Sequence, residues 1–453
     1  MRDTELKHRQ MTTDPPAKLV LRHSLPTVLA AVLPAVATIA DAFFMARLGT
    51  AACGAVGVVF PIIAAIQTIG FVFGTGAGSM LSRALGAKQQ KEADRIASAS
   101  LWVALLISVT FGILGILLRS PLLRLLGADG EILPLARTYA VCLLVSAPLI
   151  CISFVLSNLL RAEGHTVWAM LGMGSGNLLS IALAPLLIFS LKGGVLGAGL
   201  AIAIGYGFST CLLLSAYLFR KSTVFLLAQF DRTTVLRTIV NGLPSLFRQG
   251  LTVVAVTLLN RAARPYGAAA LASLAVVSRL FLLLYAFLLG IGQGMLPAAG
   301  YNYGNGDHRR TLAIYRVSIL YACALAVLLA VPTAVFAPFW IGLFRKDTEI
   351  VTVGVPLLRA FCLVLPLHGL IAVTNILLQG LGKPIQASLV ASARQGLFFL
   401  PLIFFLPHRF GLTGVILTQP IADGLTFLFT LPFVFFLFQN LSKPKIEKTP
   451  DAT

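Results

Sequence analysis

The chain has 453 residues, of which 58% are hydrophobic and 11% charged, against roughly a quarter charged in a soluble domain. That composition excludes disordered, collagen-like, disulfide-scaffold and ordinary soluble-enzyme classes and leaves an all-α integral membrane protein. Lys and Arg number 35 against 16 Asp and Glu, a formal charge of +19, and nucleic acid is not needed to explain it once the basic residues are placed along the chain.

In chain order, the polar leader 1–24 has no short apolar core followed by a small-residue cleavage site, so it does not read as a secretory signal. A spanning helix needs about 20 apolar residues. Runs of that kind fall at about 25–45, 53–80, 97–118, 134–160, 167–190 and 195–219. They return at about 238–260, 269–298, 312–339, 351–378, 385–407 and 411–438. Twelve transmembrane helices follow, because a helix satisfies its own backbone donors and acceptors in lipid. The expected organisation is a leader (1–24), an N-lobe (25–220), a cytoplasmic linker (221–237), a C-lobe (238–440) and a tail (441–453).

When successive loops alternate between the two sides, the side holding both termini collects 21 basic residues, among them Arg83, Arg220, Lys221, Arg310, Lys443, Lys445 and Lys448. The other side collects nine, including Arg47, Arg345 and Lys346. Both termini are therefore expected in the cytoplasm, and the protein in the inner (cytoplasmic) membrane. The six cysteines show no CxxC spacing and read as small apolar fillers.

The second half repeats the first. Pro26 and Pro244, Gly49 and Gly267, Gly74 and Gly292, Gly76 and Gly294, Gly86 and Gly304, Pro148 and Pro366, and Gly164 and Gly382 are all 218 residues apart. Six helices return the chain to its starting side, so the two six-helix bundles are parallel repeats related by an axis along the membrane normal. Such an architecture places a binding cleft between the halves, exposed to each side in turn as they rock.

The run Pro26 to Asp41 followed by "ARLGTAACGAVGVVFPI" (46–62), "GTGAGSMLSRALG" (74–86), "GLPSLFRQG" (242–250), "GQGMLPAAGYNYG" (292–304), "QGLGKP" (379–384) and "SARQGLFFLP" (392–401) together resemble the multidrug and toxic compound extrusion (MATE) family. The similarity covers about 25–438. It implies a twelve-helix, two-lobed exporter of small organic compounds, driven by entry of a proton or sodium ion and working in membrane lipid as a monomer; no HExxH, Walker lysine or zinc-finger spacing occurs in the chain, so no metal site, cofactor or enzymatic activity is expected. The wider superfamily also holds lipid-linked oligosaccharide flippases, so export of lipid-linked or anionic metabolites is the alternative.

Two acids lie well inside spans, Asp41 and Asp423. An ionised carboxylate at that depth costs about 3 kcal/mol and requires a partner or a wet cavity. Asp41 is the expected ion-coupling residue, with a purely structural partner as the other reading. Pro26 and Pro34 lie on the same helix, where each removes a backbone hydrogen bond; they either let protonation change the helix bend or fix a permanent kink. Many relatives carry a sodium cluster with a pattern resembling Gly-x-x-x-Asn-x-x-x-Asp-Pro in helix 5. Here the positions read Gly176, Ser180, Ala184 and Pro185, which implies a proton on Asp41 unless Asn177 or another group replaces the missing oxygens; Asn177 and Ser180 are the polar contributors at hand.

Asp423 has Arg394 and Arg359 as candidate partners in the same half, for a structural ion pair or for a second proton or substrate site. Arg248, Arg279, Arg359 and Arg394 make the second half cationic. If they line the cleft, an anionic or zwitterionic substrate fits. Asn158, Asn260, Gln293, Asn375, Gln379 and Gln395 are expected in the cavity or between helices, and Gly74, Gly76 and Gly78, in mid-span, read as helix-packing residues and not a phosphate loop. His368 is an isolated intramembrane histidine with an expected structural role.

Overall fold

The computed structural model describes residues 2–219, 222–226, 231–344 and 348–442. Arg220, Lys221, Arg345, Lys346, Lys443, Lys445 and Lys448 lie outside the described residues, as does part of the expected linker and most of the tail. Among the described residues there is no β-strand.

In the first half the spans are α1 (Pro16–Leu48), α2 (Thr50–Gly86), α3 (Gln90–Leu117), α4 (Ile132–Val145 continuing as Ala147–Ala162), α5 (Thr166–Pro185) and α6 (Gly194–Leu218). In the second they are α7 (Arg232–Ala263), α8 (Gly267–Gly304), α9 (His308–Val335), α10 (Thr348–Gly380), α11 (384–410) and α12 (412–442). Ten helices are long and apolar enough to span by themselves, and the two pieces of α4 make one further span bent by 47°. The last of the ten is a 59-residue stretch that itself holds two spans. It turns at Gly411, whose φ of 57° and ψ of −137° are not helical, so the described residues form twelve spanning helices in two like bundles. The α4 bend falls at Ser146–Pro148, where a proline has no amide proton and its ring displaces the carbonyl one turn back.

Small residues let the bundles approach. A β-carbon at Gly76 would overlap the Thr238 carbonyl of α7, one at Gly242 the Val72 carbonyl of α2, and those at Gly290 and Gly294 the α1 backbone at Val28 and Ser24. Gly86 abuts the Tyr301 carbonyl and Gly304 the Arg83 carbonyl. Arg83 and Tyr301 are again 218 apart, so the two bundles clasp each other through equivalent residues. All these contacts lie in the halves of the helices nearest the two termini. Toward the other end, a β-carbon at Gly57 or Gly250 would meet nothing within 4 Å. The seam is shut at the terminal end and parts beyond it.

The leader forms its own helix, Arg2–Thr13, lying across the shut end. Buried Met11 reaches Gly164 of the first half. Its carbonyl accepts from Asn302 Nδ2 (3.0 Å) and Arg310 Nε (3.4 Å) of the second. His8 Nδ1 lies 2.7 Å from the Tyr301 hydroxyl. Burial, helped by Lys88 nearby, pushes the His8 imidazole below its usual pKa. The docked leader therefore prefers the neutral ring, and its grip is complete above about pH 6.5 and weakens as the pH falls below that value. Amide exchange over residues 2–13, corrected for intrinsic rates, is expected to lose protection between pH 7.5 and 5.5, and His8→Gln to remove the difference. Unchanged protection on acidification would contradict this.

Candidate functional site

The site is set by two equivalent turns. Gly164 (φ 83°) and Gly382 (φ 73°) end α4 and α10 in the left-handed region that glycine alone enters without strain. Paired bonds return to each last helical turn: Gly164 N to Arg161 O (2.8 Å) and His165 N to Leu160 O (2.8 Å), then Gly382 N to Gln379 O (3.1 Å) and Lys383 N to Leu378 O (2.9 Å). Arg161 and Gln379, 218 residues apart, thereby hold the same place in each bundle. Arg161 Nη1 donates across the seam to Gln293 Oε1. Gln379 Nε2 donates the opposite way to Thr75 Oγ1 (3.1 Å). Thr75 and Gln293 are equivalent as well, so the two crossing bonds are one bond repeated about the pseudo-twofold axis.

A small polar pocket, with about the room that one water needs, sits on that axis. Thr75, Asn158 and Arg161 line it from the first bundle; Arg248, Gln293, Leu296, Ile376 and Gln379 line it from the second. Asn158 and Ile376 are a third pair with the 218 spacing. Thr75 and Gln293 stand eleven residues before the ends of α2 and α8, about 16 Å along each helix axis, which puts the pocket at the floor of the parted seam. Arg161 Nε and Nη2 also donate to the Ser157 carbonyl and hydroxyl, each at 3.2 Å. Arg248 Nη2 has a long 3.5 Å contact with Ser245 Oγ.

Asp41 stands apart from this pocket, in the part of α1 beyond the seam contacts. Half-buried, its Oδ2 accepts from the Tyr139 hydroxyl of α4 at 3.1 Å. The Phe44–Phe189 edge contact (6.4 Å) ties this stretch of α1 to the π-helical turn Leu186–Ser190 that follows α5. Asn177 Nδ2 donates to its own helix at Met173 O (2.7 Å), and Ser180 packs on Gly205 of α6. No hydrogen bond joins either of them to Asp41 among the described residues. Pro26 and Pro34 lie within a single continuous helix assignment for α1, and the carbonyl of Pro34 accepts from Thr38 Oγ1 (2.9 Å).

Asp423 sits in a closed network inside the second bundle, fully buried. Its Oδ1 accepts from Arg394 Nε (2.9 Å) and Gln419 Nε2 (2.7 Å), and its Oδ2 faces His368 Nε2 at 3.0 Å. Of the two candidate arginines, Arg394 is the partner, on the π-helical turn Ala393–Phe398. Arg359 is exposed and instead donates to Ala334 O (3.2 Å). Arg279 and Asn260 are exposed and line no part of the pocket. Of the polar residues singled out in the sequence, the pocket gathers Asn158, Arg248, Gln293 and Gln379. Sequence reasoning placed Arg161 at a loop and left His368 isolated; the 218 spacing that pairs Arg161 with Gln379 was the available signal for the first.

Two like bundles of spanning helices, with a polar pocket on the axis that relates them, define a multi-pass membrane transporter. The chain belongs to the MatE family, whose model matches residues 26–186 and 244–405. It is similar to the multidrug export protein MepA of Staphylococcus saprophyticus, 28% identical over 435 residues covering 95% of this chain and 96% of the relative. MepA of Staphylococcus aureus is 27% identical, covering 98% of both chains. A solved structure described as the outward-facing conformation of a multidrug resistance MATE family transporter of the MOP superfamily superposes with a TM-score of 0.89 at 26% identity, covering 96% of this chain and 99% of that one.

Proposed function

We propose that the protein exports amphipathic organic compounds from the cytoplasm in exchange for protons that enter through Asp41, the two bundles rocking to expose the seam to each side in turn. The observation that carries this is Asp41 itself: an acid within a spanning helix, half-buried, whose one hydrogen-bond partner among the described residues is the neutral Tyr139 hydroxyl. No cation among the described residues compensates its charge, so taking up a proton there relieves the desolvation of the carboxylate, and releasing it to the other side completes a cycle. Breadth of substrate is supported by the relatives' description as multidrug exporters.

With both termini in the cytoplasm, the seam is shut inside and parted outside, a state ready to take a proton from the exterior. A potential of 100 mV supplies about 2.3 kcal/mol per charge, a concentration ratio of roughly fifty, so one proton per cycle suffices for export. Sodium coupling is the less favoured form, since Ser180 and Ala184 stand where an oxygen-rich cluster would need an amide and a second carboxylate. Proteoliposomes loaded with a fluorescent substrate separate the two: transport is expected to follow an imposed pH gradient at constant sodium. Transport that follows a sodium gradient and ignores pH would overturn the proton reading.

A further inference from the structure

The pocket holds two guanidinium groups and no acid. Arg161 is buried, and three of its five N–H groups are engaged, by Ser157 and Gln293. Arg248 has the single long contact to Ser245. Neither makes an ion pair among the described residues, unlike Arg95 with Glu92 and Arg394 with Asp423. The acids in or beside the spans are occupied elsewhere. Asp41 is held by Tyr139, Asp423 by its own network, and the buried Glu163 carboxylate by Ser222 Oγ (2.8 Å) and Thr223 N (2.6 Å). Two cations with no acid beside them among the described residues line one small pocket in the membrane and are poorly solvated, a state that an entering anion relieves.

We propose that this pocket takes the oxyanion of an organic anion, carboxylate or phosphate, between Arg161 and Arg248, with the uncharged body of the ligand on Leu296 and Ile376. The proposal rests on the transport reading above and names the charge of the substrate. Guanidinium forks match the geometry of carboxylate and phosphate oxygens, and Gln293 and Gln379 offer amide donors beside them. A cationic compound would find no counter-charge in the same lining. The pocket lies on the pseudo-twofold axis, and Arg161 against Gln379 is the one pair in its lining where the repeats differ in charge. The incoming anion also competes with Gln293 for the Arg161 fork, so its binding loosens one of the two bonds that cross the seam.

The test uses the purified full chain with 1-naphthyl phosphate and 1-naphthoate as anionic probes and N-methylquinolinium as the cationic one, in equilibrium binding. The wild type is expected to prefer the anions. Arg161→Gln, which makes the pair neutral and alike, and Arg248→Gln are each expected to weaken naphthyl phosphate binding by about tenfold or more, as loss of a charge-assisted bond does. Melting curves and gel filtration establish folding. Should either variant fail to fold, Arg161→Lys and Arg248→Lys serve instead: they keep the charge, lose the fork, and are expected to bind with intermediate affinity.

A wild type that prefers the cation, or arginine variants that bind naphthyl phosphate unchanged, would overturn the proposal. The source of the anion is read in liposomes containing fluorescent phosphatidic acid. Flipping that Arg161→Gln stops assigns a lipid phosphate, while probe binding without flipping assigns a soluble anion, and both support an anion site. Failure of the coupling reading looks different: transport indifferent to the pH gradient while probe binding still responds to Arg161→Gln.

Discussion

Asp41→Asn is expected to reduce pH-gradient-driven transport in proteoliposomes to the level of protein-free vesicles while leaving the protein folded and inserted. Asparagine has nearly the same shape, and its amide oxygen can still accept from the Tyr139 hydroxyl, so the packing of α1 against α4 survives. What it loses is the exchangeable proton. A neutral amide also removes a desolvated charge from the bundle, so the melting temperature in detergent should hold or rise. Stability and transport therefore move apart, as they would not if Asp41 were only a strut. Tyr139→Phe is the companion variant: it removes the hydroxyl and keeps the acid, so gradient-driven transport should persist at a lower rate. Wild-type transport by Asp41→Asn under an imposed pH gradient would remove Asp41 from the mechanism.

The spans and the repeat were legible because both are properties of single segments. An apolar run of about 20 residues reports immersion in lipid, and a fixed offset between glycines and prolines reports duplication. Segment ends were less visible. The first span begins at Pro16, well ahead of the apolar run, because proline suits the first helical position and polar residues can extend a helix beyond the bilayer. Arg161 was hidden for the same reason: it lies at the last turn of α4, where basic residues usually mark a loop, and only the path of the chain at Gly164 turns it into the seam. Asp423 was legible as a buried acid in need of a cation, and Arg394 was one of two arginines offered. Choosing it over Arg359, and adding His368 and Gln419, requires knowing which helix faces meet, and hydropathy carries no such information. The glycine run at Gly74, Gly76 and Gly78 was legible as packing, and it alternates between neighbours: Gly74 and Gly78 face α4, and Gly76 faces α7.

The second large effect is expected from Asp423→Ala, as a loss of stability and not of coupling. Its carboxylate is the one anion held against Arg394 among the described residues, and that guanidinium also lies 5.2 Å from the ring centres of both Phe281 and Tyr285. His368, edge-on to the same two rings at 5.4 and 5.6 Å, fixes the other carboxylate oxygen. Removing the acid leaves a partly buried guanidinium without a counter-charge, and breaking a buried pair from one side costs about 3–5 kcal/mol. The detergent-solubilised variant should melt at a markedly lower temperature and be recovered in lower yield. Replacing both partners distinguishes a strut from a working site, because apolar groups of similar volume often substitute for a buried ion pair at little cost. Asp423→Leu combined with Arg394→Met is expected to recover most of the lost melting temperature. If that double variant also transports under a pH gradient, the network serves to join α10, α11 and α12. If it is stable and transports nothing, Asp423 carries a proton or a substrate contact, and the second bundle has an ionisable site of its own to set beside Asp41.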